Sequence, residues 1–190
     1  MKVLEATPVG SEPIWYPMTS NDADDSKPCI TRLSVSYNDS EIIVTFDCKY
    51  SHPLSLPYTE PYSPVWNGEA VEFFISPNAD KRHYYEFDTA PNGAFYDTEI
   101  INTGSIYVFT RIIKDTPVKR TTVMKDDSYT LTLTVPFSVM SEASTDCREM
   151  LWLVNAYRIN YTDTRDRYAF SPTESVGFHV PDKFAQLIFR

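Results

Sequence analysis

Glycine and long apolar runs are both scarce in this sequence of 190 residues. It contains only five glycines, which argues against a β-helical repeat array. No run of about 18 consecutive apolar residues occurs, so the sequence predicts no membrane-spanning helix. Met1 to Gly10 also lacks the basic start and apolar core of a signal peptide, and the compartment stays open.

Basic side chains are outnumbered by acidic ones. The chain has 17 Lys and Arg against 26 Asp and Glu, which gives a formal net charge of -9. Nucleic acids and anionic membranes are bound by clustered Lys and Arg, so we expect neither as a partner. Neutral ligands or cations fit this charge better.

Cysteine is scarce as well, with three residues and no C-x-x-C pair or zinc-ligand spacing. Cys48 lies in an apolar strand pattern, so we expect it in the core. Cys29 and Cys147 could form one disulfide, and the sequence does not decide whether they do.

What the sequence does contain is a hydrophobic content of 42% and a pattern of alternation along most of its length. In residues 129–135, for example, Tyr129, Leu131, Leu133 and Val135 alternate with threonines. A period of two predicts half-buried strands. Short polar turns separate about ten such runs, and little helix is expected. The sequence therefore predicts a single all-β domain over residues 1–190, an antiparallel β-sandwich of immunoglobulin or jelly-roll type.

Residues 51–67 interrupt this pattern with four prolines and three aromatic residues. Proline cannot donate a hydrogen bond to a sheet, so this segment is predicted to be a long, stiff loop. Long loops in compact domains are often functional. We interpret this one as a preformed binding loop.

Trp66, at the end of that loop, and Glu72, on the polar face of the next predicted strand, form the strongest candidate site. An aromatic ring stacks on the apolar face of a sugar, and a carboxylate accepts hydrogen bonds from its hydroxyl groups. The alternative is structural: Trp66 packs the loop onto the core and Glu72 pairs with an arginine.

A second group of candidates lies near the end of the chain. Asn155 and Tyr157 share one face of a predicted strand, Arg158 points to the other face, and Arg165, Arg167, Tyr168 and Phe170 follow. Asn and Arg side chains can make several directed hydrogen bonds to hydroxyl groups. The alternative for Arg158 is a salt bridge, for example with Glu72 or Glu86.

Three motifs carry a resemblance to a known family. They are Trp66 to Pro77 around Val71-Glu72-Phe73-Phe74-Ile75, Tyr84 to Asp88 followed by Pro91 to Ala94, and Ser171 to Thr173 with Phe178 to Pro181 and Phe184 to Phe189. In this order they resemble carbohydrate-binding module family nine, over about Pro28 to Arg190.

The resemblance implies a β-sandwich related to DOMON domains, in which two aromatic side chains clamp a terminal sugar of a glucan or xylan. Trp66 and Glu72 match one clamp residue and the carboxylate. Phe170 falls where the second clamp residue lies, in place of the family's Trp. We therefore expect non-catalytic binding of an oligosaccharide or polysaccharide. The expected contacts are Trp66, Glu72, Tyr85, Asn155, Arg158 and Phe170.

The resemblance also implies structural calcium, with ligands that the sequence does not identify. Asp22, Asp24 and Asp25 form an acidic run, and Asp88 and Asp97 flank predicted loops. Calcium prefers six to eight oxygen ligands, and no EF-hand spacing is present. The alternative for Asp22 to Asp25, which the sequence favours, is a solvated acidic loop. No other cofactor is expected, and the family's usage suggests an extracytoplasmic location if the chain has been trimmed.

Three rival functions remain open. A glycoside hydrolase needs two carboxylates, and Glu72 and Glu86 lie on predicted neighbouring strands. A haem domain of the DOMON type uses Met and His ligands, for which the candidates are Met18, Met124, His52, His83 and His179. The third is a structural or protein-binding sandwich that has lost its ligand.

Overall fold

The computed structural model describes residues 1–22, 30–51, 53–104, 108–140, 143, 150–161 and 165–190. These residues form fourteen strands: β1 Val3–Pro8, β2 Tyr16–Pro17, β3 Thr19–Ser20, β4 Thr31–Tyr37, β5 Glu41–Lys49, β6 Ala70–Ser76, β7 His83–Thr89, β8 Phe95–Asn102, β9 Val108–Ile112, β10 Lys119–Met124, β11 Ser128–Pro136, β12 Trp152–Tyr161, β13 Arg165–Ala169 and β14 Ala185–Phe189. The helical segments described are short 3-10 turns at Val65–Asn67, Phe137–Val139 and Pro181–Lys183. None of the described helices is long and apolar enough to cross a membrane.

Eleven of the fourteen strands follow one continuous order, β10-β11-β5-β4-β1-β14-β12-β6-β7-β8-β9. The other three lie off this path: β2 pairs with β4, β13 pairs with β12, and β3 pairs with β13. The strands on either side of β1 belong to two sheets, and β1 pairs with β14 of one and β4 of the other. We call the sheet that contains β6, β7, β8 and β12 the site sheet, and the sheet that contains β4, β5, β10 and β11 the second sheet. A β-sandwich-like, nearly all-β fold was predicted, and it is confirmed.

The first strand departs from the predicted antiparallel arrangement. Both pairings of β1 are parallel, so the sheet is mixed. No strand was predicted in residues 1–20, although β1, β2 and β3 lie there. Within β1, only Leu4, Ala6 and Thr7 are buried. A six-residue strand with so few apolar positions gives a weak periodic signal, although its place between the two sheets makes it central.

Alternation along the strands of the site sheet separates its two faces. Val71, Phe73 and Ile75 of β6 point into the main core against the second sheet, together with Tyr85 and Phe87 of β7. The other face carries a second, smaller cluster that includes Phe74, Tyr84, Tyr157, Phe178 and Phe184. Side chains at even positions of β6 and β7 therefore lie on the outer face of the site sheet, away from the main core.

The proline-rich loop closes against the start of β6. The amide of Glu69 donates a hydrogen bond to the carbonyl oxygen of Ser55 at 2.8 Å. A Cβ atom added at Gly68 would lie 2.6 Å from Cδ of Pro57 and 2.7 Å from the Ser55 carbonyl oxygen. Only glycine allows this close approach, which holds the loop and the turn at Val65–Asn67 beside the site sheet.

Candidate functional site

Strand register brings three carboxylates together on the outer face of the site sheet. Glu72 lies opposite Asp88 of β7, and the next pair on the same face is Phe74 with Glu86. Residues directly opposite or diagonal on one face are neighbours. One carboxylate oxygen from each of Glu72, Glu86 and Asp88 lies within 4.8 Å of the others. We call these three residues the carboxylate cluster.

A cavity of about 360 Å³ opens above this cluster. Small-molecule sites in proteins have volumes of about 300 to 1,000 Å³. Aromatic, charged and backbone groups all contribute to its wall. The lining residues are Trp66, Glu72, Glu86, Tyr96, Thr110, Ile159, Arg165, Arg167, Val176, Gly177, Phe178 and His179.

Trp66 is held at the wall of this cavity by its own turn and by two neighbours. Its ring packs edge-on against Tyr96 of β8, with centroids 5.0 Å apart. Its carbonyl oxygen accepts a hydrogen bond from the guanidinium of Arg165 on β13. The side chain is half-buried, so part of the ring is open to a ligand.

The carboxylate cluster has little compensating positive charge around it. Burial raises the pKa of Glu72 well above its usual value, the nearby Glu86 raises it further, and Arg165 and Arg167 oppose the shift. Burial raises the pKa of Glu86 to about 7. Burial, followed by the charges of Glu86 and Glu72, raises the pKa of Asp88 as well. The cluster therefore holds protons near neutral pH unless something else compensates its charge.

His179 completes the side of the cavity next to Glu86. Its Nδ1 lies 2.9 Å from the hydroxyl of Tyr84, and its Nε2 lies 3.8 Å from a carboxylate oxygen of Glu86. Burial lowers the pKa of His179 to about 4. The imidazole is therefore neutral at pH 7 and supplies no counter-charge to the cluster.

Of the six predicted sugar contacts, the structure brings Trp66 and Glu72 together in the cavity wall. Arg158 lies instead on the inner face of the site sheet, because β12 pairs with β6 so that Arg158 is opposite Val71. Its guanidinium binds the carboxylate of Glu69, with Nε 2.8 Å from Oε1. The salt bridge expected as the alternative is present, with Glu69 rather than Glu72 or Glu86 as its partner.

The other three predicted contacts are also buried outside this lining. Tyr85 and Phe170 belong to the main core, where Phe170 packs edge-on against Tyr16 at 5.6 Å. Asn155 lies on the outer face, but its amide donates to the carbonyl oxygen of Ser171 at 2.7 Å. Roles for Tyr85, Asn155 and Phe170 in sugar binding stay predictions that these positions do not favour.

Several cavity residues were not among the predicted contacts. Tyr96 shares a row with Asp88 through the pairing of β7 with β8, which the sequence pattern alone does not determine. Arg165 and Arg167 lie on β13, one strand beyond β12, and had been noted as part of the second candidate group. Phe178 and His179 belong to the C-terminal motif, where Phe178 stacks on Tyr157 with ring centroids 4.1 Å apart.

The candidates for calcium and haem are scattered. Asp24, Asp25 and His52, like Cys29 and Cys147, lie outside the described residues. Asp22 is exposed, and Asp97 is buried and bound to Arg120. Among the calcium candidates, Asp88 lies in the carboxylate cluster.

The methionine and histidine candidates for haem have other neighbours. Met18 is buried in the main core, whereas Met124 is exposed. His83 pairs with Glu99 at 2.7 Å, and His179 lies between Tyr84 and Glu86. Calcium and haem both stay untested predictions.

Comparison with known proteins identifies the fold. No protein-family model and no curated protein matches the sequence. Among solved structures, a Bacteroides uniformis protein proposed to bind carbohydrate is 18% identical with a TM-score of 0.84, covering 100% of this chain and 99% of that one.

A family 9 carbohydrate-binding module from Caldicellulosiruptor kristjanssonii is similar in two complexes. The cellotriose complex is 10% identical with a TM-score of 0.70, covering 100% of this chain and 94% of the module. The glucose complex is also 10% identical, with a TM-score of 0.67 and coverage of 100% and 96%. At these identities the likeness establishes the fold, so the predicted resemblance is confirmed at that level: this chain has the fold of carbohydrate-binding module family 9.

Proposed function

We propose that this protein binds carbohydrate without catalysis, and that the terminal sugar of a glucan or xylan type oligosaccharide occupies the cavity beside Trp66. The observation that carries the proposal is the position of Trp66 and Glu72 in one cavity wall. The half-buried indole offers a flat apolar surface, and the carboxylate accepts hydrogen bonds from hydroxyl groups.

The remaining wall suits the same ligand. Arg165 and Arg167 are half-buried and supply N–H donors. Nε of Arg165 is buried and has no hydrogen-bond partner among the described residues. A buried donor without a partner is costly, so a ligand oxygen that accepts from it would bind favourably.

Intrinsic fluorescence with a panel of oligosaccharides tests this proposal. We expect glucose, cellobiose or xylobiose to change the emission saturably, because Trp66 is one of three tryptophans and lines the cavity. Because Trp66→Ala also removes the fluorophore, its affinity is measured by calorimetric titration, and binding should be weaker by about tenfold or more, which corresponds to about 1.4 kcal/mol of lost stacking.

Trp15→Ala is the matched control. Trp15 is also half-buried, but it packs against Arg32 of β4 in the second sheet, with the guanidinium carbon 4.4 Å from its ring centroid. It should leave sugar binding unchanged. If no sugar in the panel binds the folded wild-type protein, the proposal is overturned and the structural or protein-binding sandwich takes its place.

One observation favours a glycoside hydrolase as a second candidate. Carboxylate oxygens of Glu72 and Glu86 lie within 4.8 Å of each other, and retaining glycosidases use two carboxyl groups about 5 to 5.5 Å apart. The pKa of Glu86, raised to about 7 by burial, would keep a proton available for an acid role.

Incubation with aryl β-glucosides and β-xylosides separates the two candidates. Release of the aryl group by the wild-type protein and its loss in Glu86→Gln would establish the hydrolase. We expect no release from either protein, because binding without turnover is what we propose for this cavity.

A further inference from the structure

The carboxylate cluster has a feature that sugar binding by Trp66 and Glu72 leaves unexplained. Asp88 is fully buried and is not part of the cavity lining. Both of its carboxylate oxygens are buried, and no described N–H group or hydroxyl donates to them. The hydrogen-bonding neighbour of Asp88 is Glu86, which is itself a carboxyl group. Buried carboxylates normally have donors or counter-ions, since an unpaired one is costly.

The nearest charged side chains to Asp88 in the cluster are themselves acidic. Glu72 and Glu86 each place an oxygen within 4.8 Å of the Asp88 carboxylate. Elsewhere in the described site sheet, buried acids have basic partners: Asp97 binds Arg120, and Glu69 binds Arg158. Arg165 and Arg167 act on Glu72 from β13, but neither forms an ion pair with Asp88 within the described residues. When its carboxyl groups are ionised, the cluster therefore has no basic side chain among the described residues that pairs with Asp88.

We propose that Glu72, Glu86 and Asp88 bind one divalent metal cation at the floor of the cavity. All three offer hard oxygen ligands of the kind that Ca²⁺ and Mg²⁺ prefer. Two oxygens that coordinate one Ca²⁺ ion at about 2.4 Å lie no more than about 4.8 Å apart. The spacing within the cluster meets that limit.

The number of ligands favours Ca²⁺ with an open side. Three carboxylates supply between three and six oxygens, and Ca²⁺ takes six to eight. Glu72 and Glu86 also line the cavity, so the remaining coordination positions face the space that a ligand enters. There, water or the hydroxyl groups of a sugar complete the shell. This link to sugar binding rests on the proposed function, whereas the cation site itself does not.

Calorimetric titration of chelator-treated protein with CaCl₂ tests the cation site. We expect one Ca²⁺ per chain with a Kd below about 1 mM, in the range of extracellular calcium modules. Asp88→Asn keeps the size of the side chain and removes one anionic ligand, and it should weaken Ca²⁺ binding by about tenfold or more. MgCl₂ in place of CaCl₂ shows which of the two cations the cluster prefers.

Asp47→Asn is the matched control. Asp47 lies on β5 of the second sheet and pairs with Arg32, so its replacement should leave Ca²⁺ affinity unchanged. Thermal denaturation shows whether each variant is folded, and one fixed Ca²⁺ concentration should raise the Tm of the wild type by more than that of Asp88→Asn. If neither cation binds at millimolar concentration, or if Asp88→Asn binds as well as the wild type, the cation site is overturned.

Sugar titrations with Ca²⁺ and with EDTA then test the link to the cavity. We expect the affinity of wild-type protein for the best sugar to fall by about threefold or more in EDTA. Equal affinity in both conditions would overturn the link while leaving the cation site intact. Ca²⁺ binding that depends on Asp88, together with no sugar binding in either condition, would overturn the proposed function and not the cation site.

Discussion

Glu69 and Glu72 lie three residues apart at the start of β6, yet they occupy opposite electrostatic environments. Glu69 points to the inner face, where its carboxylate accepts hydrogen bonds from Arg158, from the Tyr129 hydroxyl at 2.7 Å and from the Tyr161 amide at 3.1 Å. Glu72 points to the outer face, among Glu86 and Asp88. Both carboxylates are buried, so burial alone does not distinguish them.

The presence of donors is what separates the two sites. Arg158 uses its other nitrogens on Thr31, Asn160 and the carbonyl oxygen of Lys49, so the inner site is saturated with internal partners. A saturated charge network fixes the arrangement of the strands that meet at it. The outer cluster lacks hydrogen-bond donors for Asp88 among the described residues, and a cavity lies above it. Buried acids beside a cavity are typical of a ligand site. Strand alternation thus places a structural acid and a candidate functional acid on one short segment.

Arg158→Met gives the largest effect and would break the inner site. It leaves the Glu69 carboxylate buried without its counter-ion, which should lower the free energy of unfolding by about 3 to 5 kcal/mol. Urea denaturation at pH 7 measures this. The control is Arg32→Met, which breaks the partly exposed pair with Asp47 and should cost no more than about 1 kcal/mol. Equal losses in the two variants would contradict the assignment of Glu69–Arg158 as a buried structural pair.

Glu86→Gln should raise the free energy of unfolding, and the size of this gain should depend on pH. Because burial raises the pKa of Glu86 from 4.5 to about 7, the folded state holds a proton there that the unfolded state releases. Ionisation of Glu86 therefore lowers the stability of the wild type as pH rises from about 4.5 to 7. The loss is on the order of 3 kcal/mol, since each pKa unit is worth about 1.4 kcal/mol.

The difference in free energy of unfolding between Glu86→Gln and the wild type isolates the contribution of Glu86. His179 beside Glu86 has its pKa lowered to about 4, so its own contribution rises between pH 4 and 6.5 and masks the trend in the wild type alone. In EDTA, the stability of Glu86→Gln relative to wild type should grow from pH 4.5 to 7 and then stay level. A difference that does not vary with pH would show that Glu86 ionises normally.

Asp88→Asn tests whether the buried Asp88 carboxylate destabilises the protein when no cation is bound. The neutral amide removes a buried charge without donors and can donate to Glu72 or Glu86. In EDTA at pH 8 we expect the free energy of unfolding to rise by about 1 to 3 kcal/mol, the cost of an unsatisfied buried group. Urea denaturation measures it, with Asp47→Asn as the control. A loss of stability as large as that of Arg158→Met would mean that Asp88 is a structural acid like Glu69.

The sequence predicts this two-faced arrangement only in part. Alternation in residues 69–76 assigns Val71, Phe73 and Ile75 to one face and Glu72 to the other, and the structure agrees. The end of the proline-rich loop was predicted to present Trp66, and the structure has Trp66 in a turn just before β6, in the cavity wall. These are local properties, read from neighbours along the chain.

The partners of the buried charges could not be predicted in the same way. Alternation predicts that Arg158 points to the other face of β12 from Asn155 and Tyr157. The residue that Arg158 lies opposite depends on the register of β12 against β6, and in the structure that residue is Val71. That register is set by long-range packing. Among the described residues, the lack of a donor for Asp88 likewise depends on the register of β7 with β6 and β8, and no motif within one strand reports it.

The smallest expected effect is the difference between removing one tyrosine hydroxyl at the inner site and removing one at the outer face. The Tyr129 hydroxyl donates to the charged carboxylate of Glu69 at 2.7 Å, and the Tyr157 hydroxyl donates to the neutral carbonyl oxygen of Phe178 at 3.1 Å. Both side chains are fully buried. A hydrogen bond to a charged group contributes about 1.5 to 3 kcal/mol, and a neutral one about 0.5 to 1.5 kcal/mol.

Tyr129→Phe should therefore destabilise the protein by about 1 kcal/mol more than Tyr157→Phe in urea denaturation. Both substitutions remove one hydroxyl group from a buried ring, so the change in the hydrophobic contribution of the ring is the same in the two variants and cancels. Tyr157 packs beside the cavity through Phe178, and its variant should also leave the Glu69–Arg158 pair intact. Equal losses would mean that the charge of Glu69 is already satisfied by Arg158 and gains little from a further donor. The contrast between the two faces would then rest on Arg158 alone.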